Sequence, residues 1–134
     1  MRTVELNVDA NGRQVVDLTD DVARFCAGQG DGLVHVFAPH ATAGLALMEV
    51  GSGSEADLVD TVGRLLPRDD RYIHRHGSPG HGADHVLPAL ISPSLTLPVL
   101  GGRPALGTWQ NVVFVDLNGD NPHRNVRLSF VAAP

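Results

Sequence analysis

The chain has 134 residues, 43% of them hydrophobic and 19% charged, the profile of one soluble globular domain spanning 1–134 with a real core. A formal net charge of −5 disfavours nucleic acid as a partner held through a basic surface. The absence of an apolar run long enough for a bilayer or of a signal-peptide pattern, together with a single cysteine, Cys26, points to a cytoplasmic protein with no membrane partner and no intrachain disulfide.

In chain order, "TVELNV" alternates Val4, Leu6 and Val8 with polar residues, which predicts a half-buried strand. Asn11-Gly12 marks a turn, and "RQVVDL" is the returning strand. "LTDDVARFCAGQG" predicts a short helix capped by Thr19 or Asp20, with Val22, Phe25 and Cys26 on one face and Gly28 at its end. "GLVHVFA" and "AGLALMEV" are two further strands joined by "PHAT". "GSGSEADLVDTVGRLLP" predicts a longer helix, with a capping box from Ser54 and Asp57 or from Ser52 and Glu55. Leu58, Val59, Val62, Leu65 and Leu66 form its apolar stripe, and Pro67 stops it. After a histidine-rich segment, "LPALI" supports a short helical piece at most, because Pro88 belongs near a helix start. "SLTLPVL", "NVVFVDL" and "NVRLSFVA" are strands, the first ending in a Gly101-Gly102 turn. The order is ββ-α-ββ-α-βββ: an α+β domain with two helices and a mainly antiparallel sheet or sandwich.

Four of the seven histidines fall between Tyr72 and His85. A catalytic zinc takes three protein ligands, usually neutral imidazoles, and keeps one position open. His81 and His85 have the spacing of one helix face, but Gly80, Gly82 and Pro88 argue against a regular helix over both. On spacing alone the segment reads equally as a metal site or as a solvated loop. His40, in "PHATAGL", lies between two strands, where sites are commonly built and where a lone histidine is also commonly just exposed. His35 reads as structural, His76 as plain loop and His123 as solvated.

In "GTWQ", Trp109 offers an indole N–H and Gln110 both a donor and an acceptor; an indole filling a core short of aromatics is the competing reading. Arg124 and Arg127 project to opposite strand faces, so one of them can serve a site. An arginine fork suits carboxylate or phosphate. Glu49, Asp57 and Asp60 are the candidate acidic groups, with Asp60 read as part of a wet helix face.

"SLTLPVLGGRPALGTWQNVVFVDLNG" resembles the signature of the YjbQ-like family, also called the secondary thiamine-phosphate synthase family. "HATAGLALMEV" resembles its His-to-Glu segment, and "YIH" and "ADH" match two later histidine positions, so the similarity runs from about Val34 to Val131. The resemblance implies a homotrimer of small α+β domains. It implies that His40, His74 and His85 hold a divalent metal, zinc in the first place. Glu49 and Asp57 match acidic positions that would act near the metal or as a general base, and Trp109, Gln110 and Arg124 would contact substrate. The implied substrate is a small phosphorylated or anionic metabolite. The implied activity couples a pyrimidine diphosphate to a thiazole phosphate. A metal-dependent hydrolase with Glu49 as base and a non-catalytic trimeric metal- or metabolite-binding module are the alternatives. This chain departs from the family pattern at His81, where asparagine is usual; a further ligand, a replacement hydrogen bond and an outward-facing side chain are all open to it.

Overall fold

The structure is a computed structural model describing residues 1–134. Its elements are β1 (Arg2–Val8), β2 (Val15–Asp17), α1 (Thr19–Cys26), β3 (Gly32–Phe37), β4 (Ala43–Met48), α2 (Ser54–Leu65), α3 (His81–Leu90), β5 (Ser94–Leu100), β6 (Arg103–Pro104), β7 (Asn111–Asp116) and β8 (Arg124–Ala132). All strand pairs are antiparallel. They build a five-stranded sheet in the order β1-β8-β3-β5-β6 and a three-stranded sheet in the order β2-β7-β4. The α+β class expected from the sequence is the one observed, with three helices rather than two.

Alternation in the strands decides the layers. Val34, Val36, Leu97, Val99, Val126, Leu128 and Phe130 point inward from the larger sheet and meet Leu45, Val112 and Phe114 from the smaller one. Helix α1 closes this core with Val22, Phe25 and Cys26, the face its spacing predicts. Val113 and Val115 leave the other face of β7 and form a second core with Val62 and Leu66 of the α2 segment and Ala83 and Leu87 of α3. The "VVFV" run of β7 is therefore continuous because both of its faces are covered. The stripe on α2 is narrower than expected: Leu65 is 66% exposed. Its capping box does not form. Gly53 is the N-cap, in a left-handed conformation, and Glu55 instead accepts the Gly51 N–H at 2.6 Å.

Helix α3 corrects the expectation that the glycines forbid a helix through His81 and His85. Gly80 is the residue before the helix, with φ 85°, a left-handed conformation that suits glycine. Gly82 is needed for closeness: a Cβ there would stand 2.5 Å from the His74 carbonyl oxygen. Pro88 lies inside the helix and removes one internal hydrogen bond. Burial of Ala83 and Leu87 against β7 offsets that loss. The ring of Phe114 is fully buried between the two sheets. We expect Phe114→Ala to cost about 3–5 kcal/mol and Leu65→Ala less than about 0.5 kcal/mol, read from denaturant unfolding midpoints at unchanged m-value.

Candidate metal centre

The segment from α2 to α3 folds back so that its histidines face the first turns of α3. The Tyr72 hydroxyl donates to the Pro67 carbonyl at 2.8 Å and fixes the bend. Close passage of the chain over Gly82 brings the His74 ring onto the helix. The His74 and His85 rings stack with centroids 4.0 Å apart, and the His81 and His85 centroids are 4.4 Å apart. One ring nitrogen from each of His74, His81 and His85 lies within 4.8 Å of the other two. His76, expected to be plain loop, packs on this group, 4.1 Å from His74 between ring centroids.

The nitrogens are under-satisfied in a way that suits a cation. His81 Nε2 and His85 Nε2 are 2.8 Å apart, so one must donate to the other. His74 Nε2 is buried and has no hydrogen-bond partner. A buried bare nitrogen costs about 1–3 kcal/mol. In a tetrahedral zinc site, bonds of about 2.0–2.1 Å place ligand nitrogens about 3.3 Å apart, a separation these rings reach with small rotations. The donor set therefore fits a borderline ion such as zinc.

Electrostatics point the same way. Loss of water around the ring, then the neighbouring His76 and His81, lowers the His74 pKa below its ordinary value. Loss of water, then His74, His81 and His76, lowers that of His85. Both rings are thereby held neutral, the form that binds metal. A folded-state pKa below the unfolded one means that the unfolded chain takes up protons first. Stability is then lost as pH falls through the unfolded value of about 6.5 towards the depressed folded values.

Two sets of polar contacts hold the site. Asp84, only 2% exposed, receives both Arg68 terminal nitrogens, one of them at 3.2 Å. This pair ties the start of α3 to the end of the α2 segment. Asp120, from the β7–β8 loop, accepts the Ser78 N–H at 3.3 Å, and its Oδ2 stands 3.1 Å from His81 Nδ1. That nitrogen makes no aligned hydrogen bond, so the carboxylate lies off the N–H axis.

The other expected site residues lie elsewhere in the chain's contacts. His40 does not join the histidine group: its Nε2 is 3.1 Å from the Asn125 N–H and 2.9 Å from the Asn125 carbonyl, anchoring "PHAT" to β8. Within one chain, the third imidazole of the histidine group is His81. Arg124 is not an open fork. It is 8% exposed, its Nε donates to Asp116 at 2.6 Å and its Nη2 to Thr42 at 3.0 Å. Arg127 points the other way and pairs with Glu5 at 2.7 Å. Glu49 accepts the Ser52 hydroxyl at 3.1 Å, and Asp57 is exposed on α2; neither reaches the histidines. Trp109 is 72% exposed and fills no core, while the Gln110 side chain accepts the Gly107 N–H at 2.8 Å.

Sequence reasoning missed Arg68, Asp84 and Asp120. Asp84 stands beside His85 in the matched "ADH", but nothing local shows that Arg68 will cover it. The i, i+4 spacing of His81 and His85 is the usable signal, and the glycines that argue against it in fact start the helix.

Together these features define a class: a small α+β domain of two antiparallel sheets and a helical layer, with a histidine-lined polar pocket beside the helices. The chain belongs to the YjbQ-like family, the model described as UPF0047 protein YjbQ-like matching residues 4–133. It is 65% identical to a UPF0047 protein of Mycobacterium tuberculosis over 131 residues, 98% of each chain. It is 35% identical to a UPF0047 protein of Archaeoglobus fulgidus over 111 residues, 83% of this chain and 86% of that one. Among solved structures, a hypothetical protein from Aeropyrum pernix superposes with a TM-score of 0.90 at 31% identity, over 99% of this chain and all of that one (100%). A conserved hypothetical protein from Thermus thermophilus superposes with a TM-score of 0.81 at 29% identity, over 96% and 99% of the two chains.

The Arg68–Asp84 pair is asymmetric, since Arg68 is 36% exposed and Asp84 almost fully enclosed. Arg68→Ala leaves a buried carboxylate and is expected to cost about 3 kcal/mol. Asp84→Ala leaves a cation that water can reach and is expected to cost less. Chemical denaturation of both variants checks the order. In metal-free protein, NMR titration should place the His74 and His85 midpoints below the ordinary imidazole value of about 6.5.

Proposed function

We propose that this chain binds zinc or a similar divalent ion through His74, His81 and His85 and acts there on the phosphate or carboxylate end of a small metabolite. The observation that carries the reading is the convergence of three imidazoles around a buried, partnerless His74 Nε2. A divalent ion held there would supply Lewis acidity towards a phosphate oxygen. The chain's own part is to present neutral imidazoles in a polar wall that carries Asp69, paired with Arg71, and Asp70 as well as Arg75. Arg75 lies in that wall, its Nε donating to the Tyr72 carbonyl at 2.7 Å, which leaves its terminal nitrogens for an anion.

The pocket holds about 170 Å³ and has no hydrophobic lining residue. A phosphate group suits its size; an aromatic ring would find little apolar surface. This favours hydrolysis of a phosphorylated metabolite as the reaction class. Synthesis of thiamine phosphate from a pyrimidine diphosphate and a thiazole phosphate is the finer reading, supported by the resemblance to the secondary thiamine-phosphate synthase family. It requires ring-binding surface from outside this pocket. A homotrimer is part of the same reading. Trp109 is exposed, and the uncovered face of the larger sheet carries Leu33 and Val131 as cross-strand neighbours, 49% and 51% exposed; such surface favours association. A cytoplasmic setting accords with helices too short and polar to cross a membrane and with one buried cysteine.

Elemental analysis of untagged protein should find about one zinc per chain. His74→Ala, His81→Ala and His85→Ala should each lose it, while His40→Ala should keep it. Metal retained by His74→Ala, or none bound by wild type after zinc is offered, overturns the site. With metal established, product analysis separates the two chemistries: a hydrolase consumes one phosphate ester alone, and a synthase needs both substrates.

A further inference from the structure

The chain buries only four polar or charged side chains: Thr42, Asp84, Asn118 and Arg124. Asp84 belongs to the clamp with Arg68. The other three form a continuous hydrogen-bonded series that leads to the histidines. Thr42 accepts from Arg124 at 3.0 Å, and Arg124 donates to Asp116 at 2.6 Å. Asp116 accepts the Asn118 N–H at 3.0 Å, and the Asn118 side chain accepts the Asp120 N–H at 2.9 Å. The series ends at the Asp120 carboxylate, between the Ser78 N–H and His81 Nδ1. Burying such groups is costly unless each is paired, and here each pairing aims the next residue of the β7–β8 loop.

We propose that Asp120 is a positioning residue for the metal centre, set in place by the buried Arg124–Asp116–Asn118 series, and that it holds the His81 ring with Nδ1 protonated. The two ring nitrogens have different neighbours. Nδ1 faces the Asp120 carboxylate, and Nε2 faces His85 at 2.8 Å. A proton on Nδ1 keeps the Nε2 lone pair directed at the space shared with His74 and His85. Asp120 does not enter the ligand set, because its carboxylate stands on the Nδ1 side of the ring. Its side chain is 36% exposed, so it can turn the short way needed to align with the N–H. This role rests on the metal reading above. It gives Arg124 a task unlike substrate binding: the guanidinium fixes the loop that aims His81.

The test uses Asp120→Ala and Asp120→Asn in the full chain, with His74→Ala alongside. Nitrogen-15 NMR of metal-free wild type should show His81 as the Nδ1-protonated tautomer, and Asp120→Ala should lose that preference. Zinc affinity, measured by chelator competition, should fall about 10–100-fold in Asp120→Ala. Asp120→Asn, which keeps an oxygen acceptor, should recover part of the loss. A purely structural role would shift the unfolding midpoint without changing the tautomer. Wild-type zinc affinity and tautomer in Asp120→Ala, beside lost zinc binding in His74→Ala, would overturn the positioning role and leave the metal reading standing. Failure of wild type to bind zinc would overturn both.

Discussion

Strand β7 is buried on both faces, and the rest of the molecule is arranged by that fact. Val112 and Phe114 fill the space between the sheets, while Val113 and Val115 form the floor on which α2 and α3 lie. A strand with one wet face would leave α3 nothing to pack on. The helix contains Pro88 and starts with glycines on either side of His81, so its own propensity is poor. Burial against β7 offsets that weakness. The same strand ends in Asp116, from which the polar series to Asp120 begins.

The histidine group depends on this arrangement in two ways. The floor under α3 fixes where His81 and His85 stand. The loop beyond β7 returns to the same helix and places a carboxylate behind His81. The chain's buried charges are paired: Asp84 with Arg68 beside the histidines, and Arg124 with Asp116 at the two ends of the β7–β8 loop. Such pairs contribute little net stability against apolar replacements, yet removing one partner is costly. Their use here is geometric.

Within one chain, two of the imidazoles singled out by the family resemblance stand in different surroundings. His40 is held by the backbone of β8 and serves as an anchor between the strands. His81, where the family pattern usually has asparagine, completes a set of three within one chain. An imidazole and a carboxamide can both hydrogen-bond, but the imidazole nitrogen is much the better ligand for zinc. The exposed Trp109 and the Gln110 side chain bonded to Gly107 lie outside that set.

Alternation and turn residues were enough to read the seven longer strands, the α1 face, the body of α2 and the antiparallel class, because those signals are local and repeat every two or 3.6 residues. The paired "YIH" and "ADH" histidines were legible through the family resemblance, and the structure brings the His74 and His85 rings together. What the local pattern missed depends on partners distant in the chain. Whether Gly80 and Gly82 break a helix or begin one is decided by the chain crossing at His74. Whether Arg124 is a free fork or a buried strut is decided by Thr42 and Asp116. Composition and periodicity determined which residues turn inward. Only the tertiary structure decided which polar residues meet, since a hydrogen bond depends on distance in space and leaves no period in the sequence.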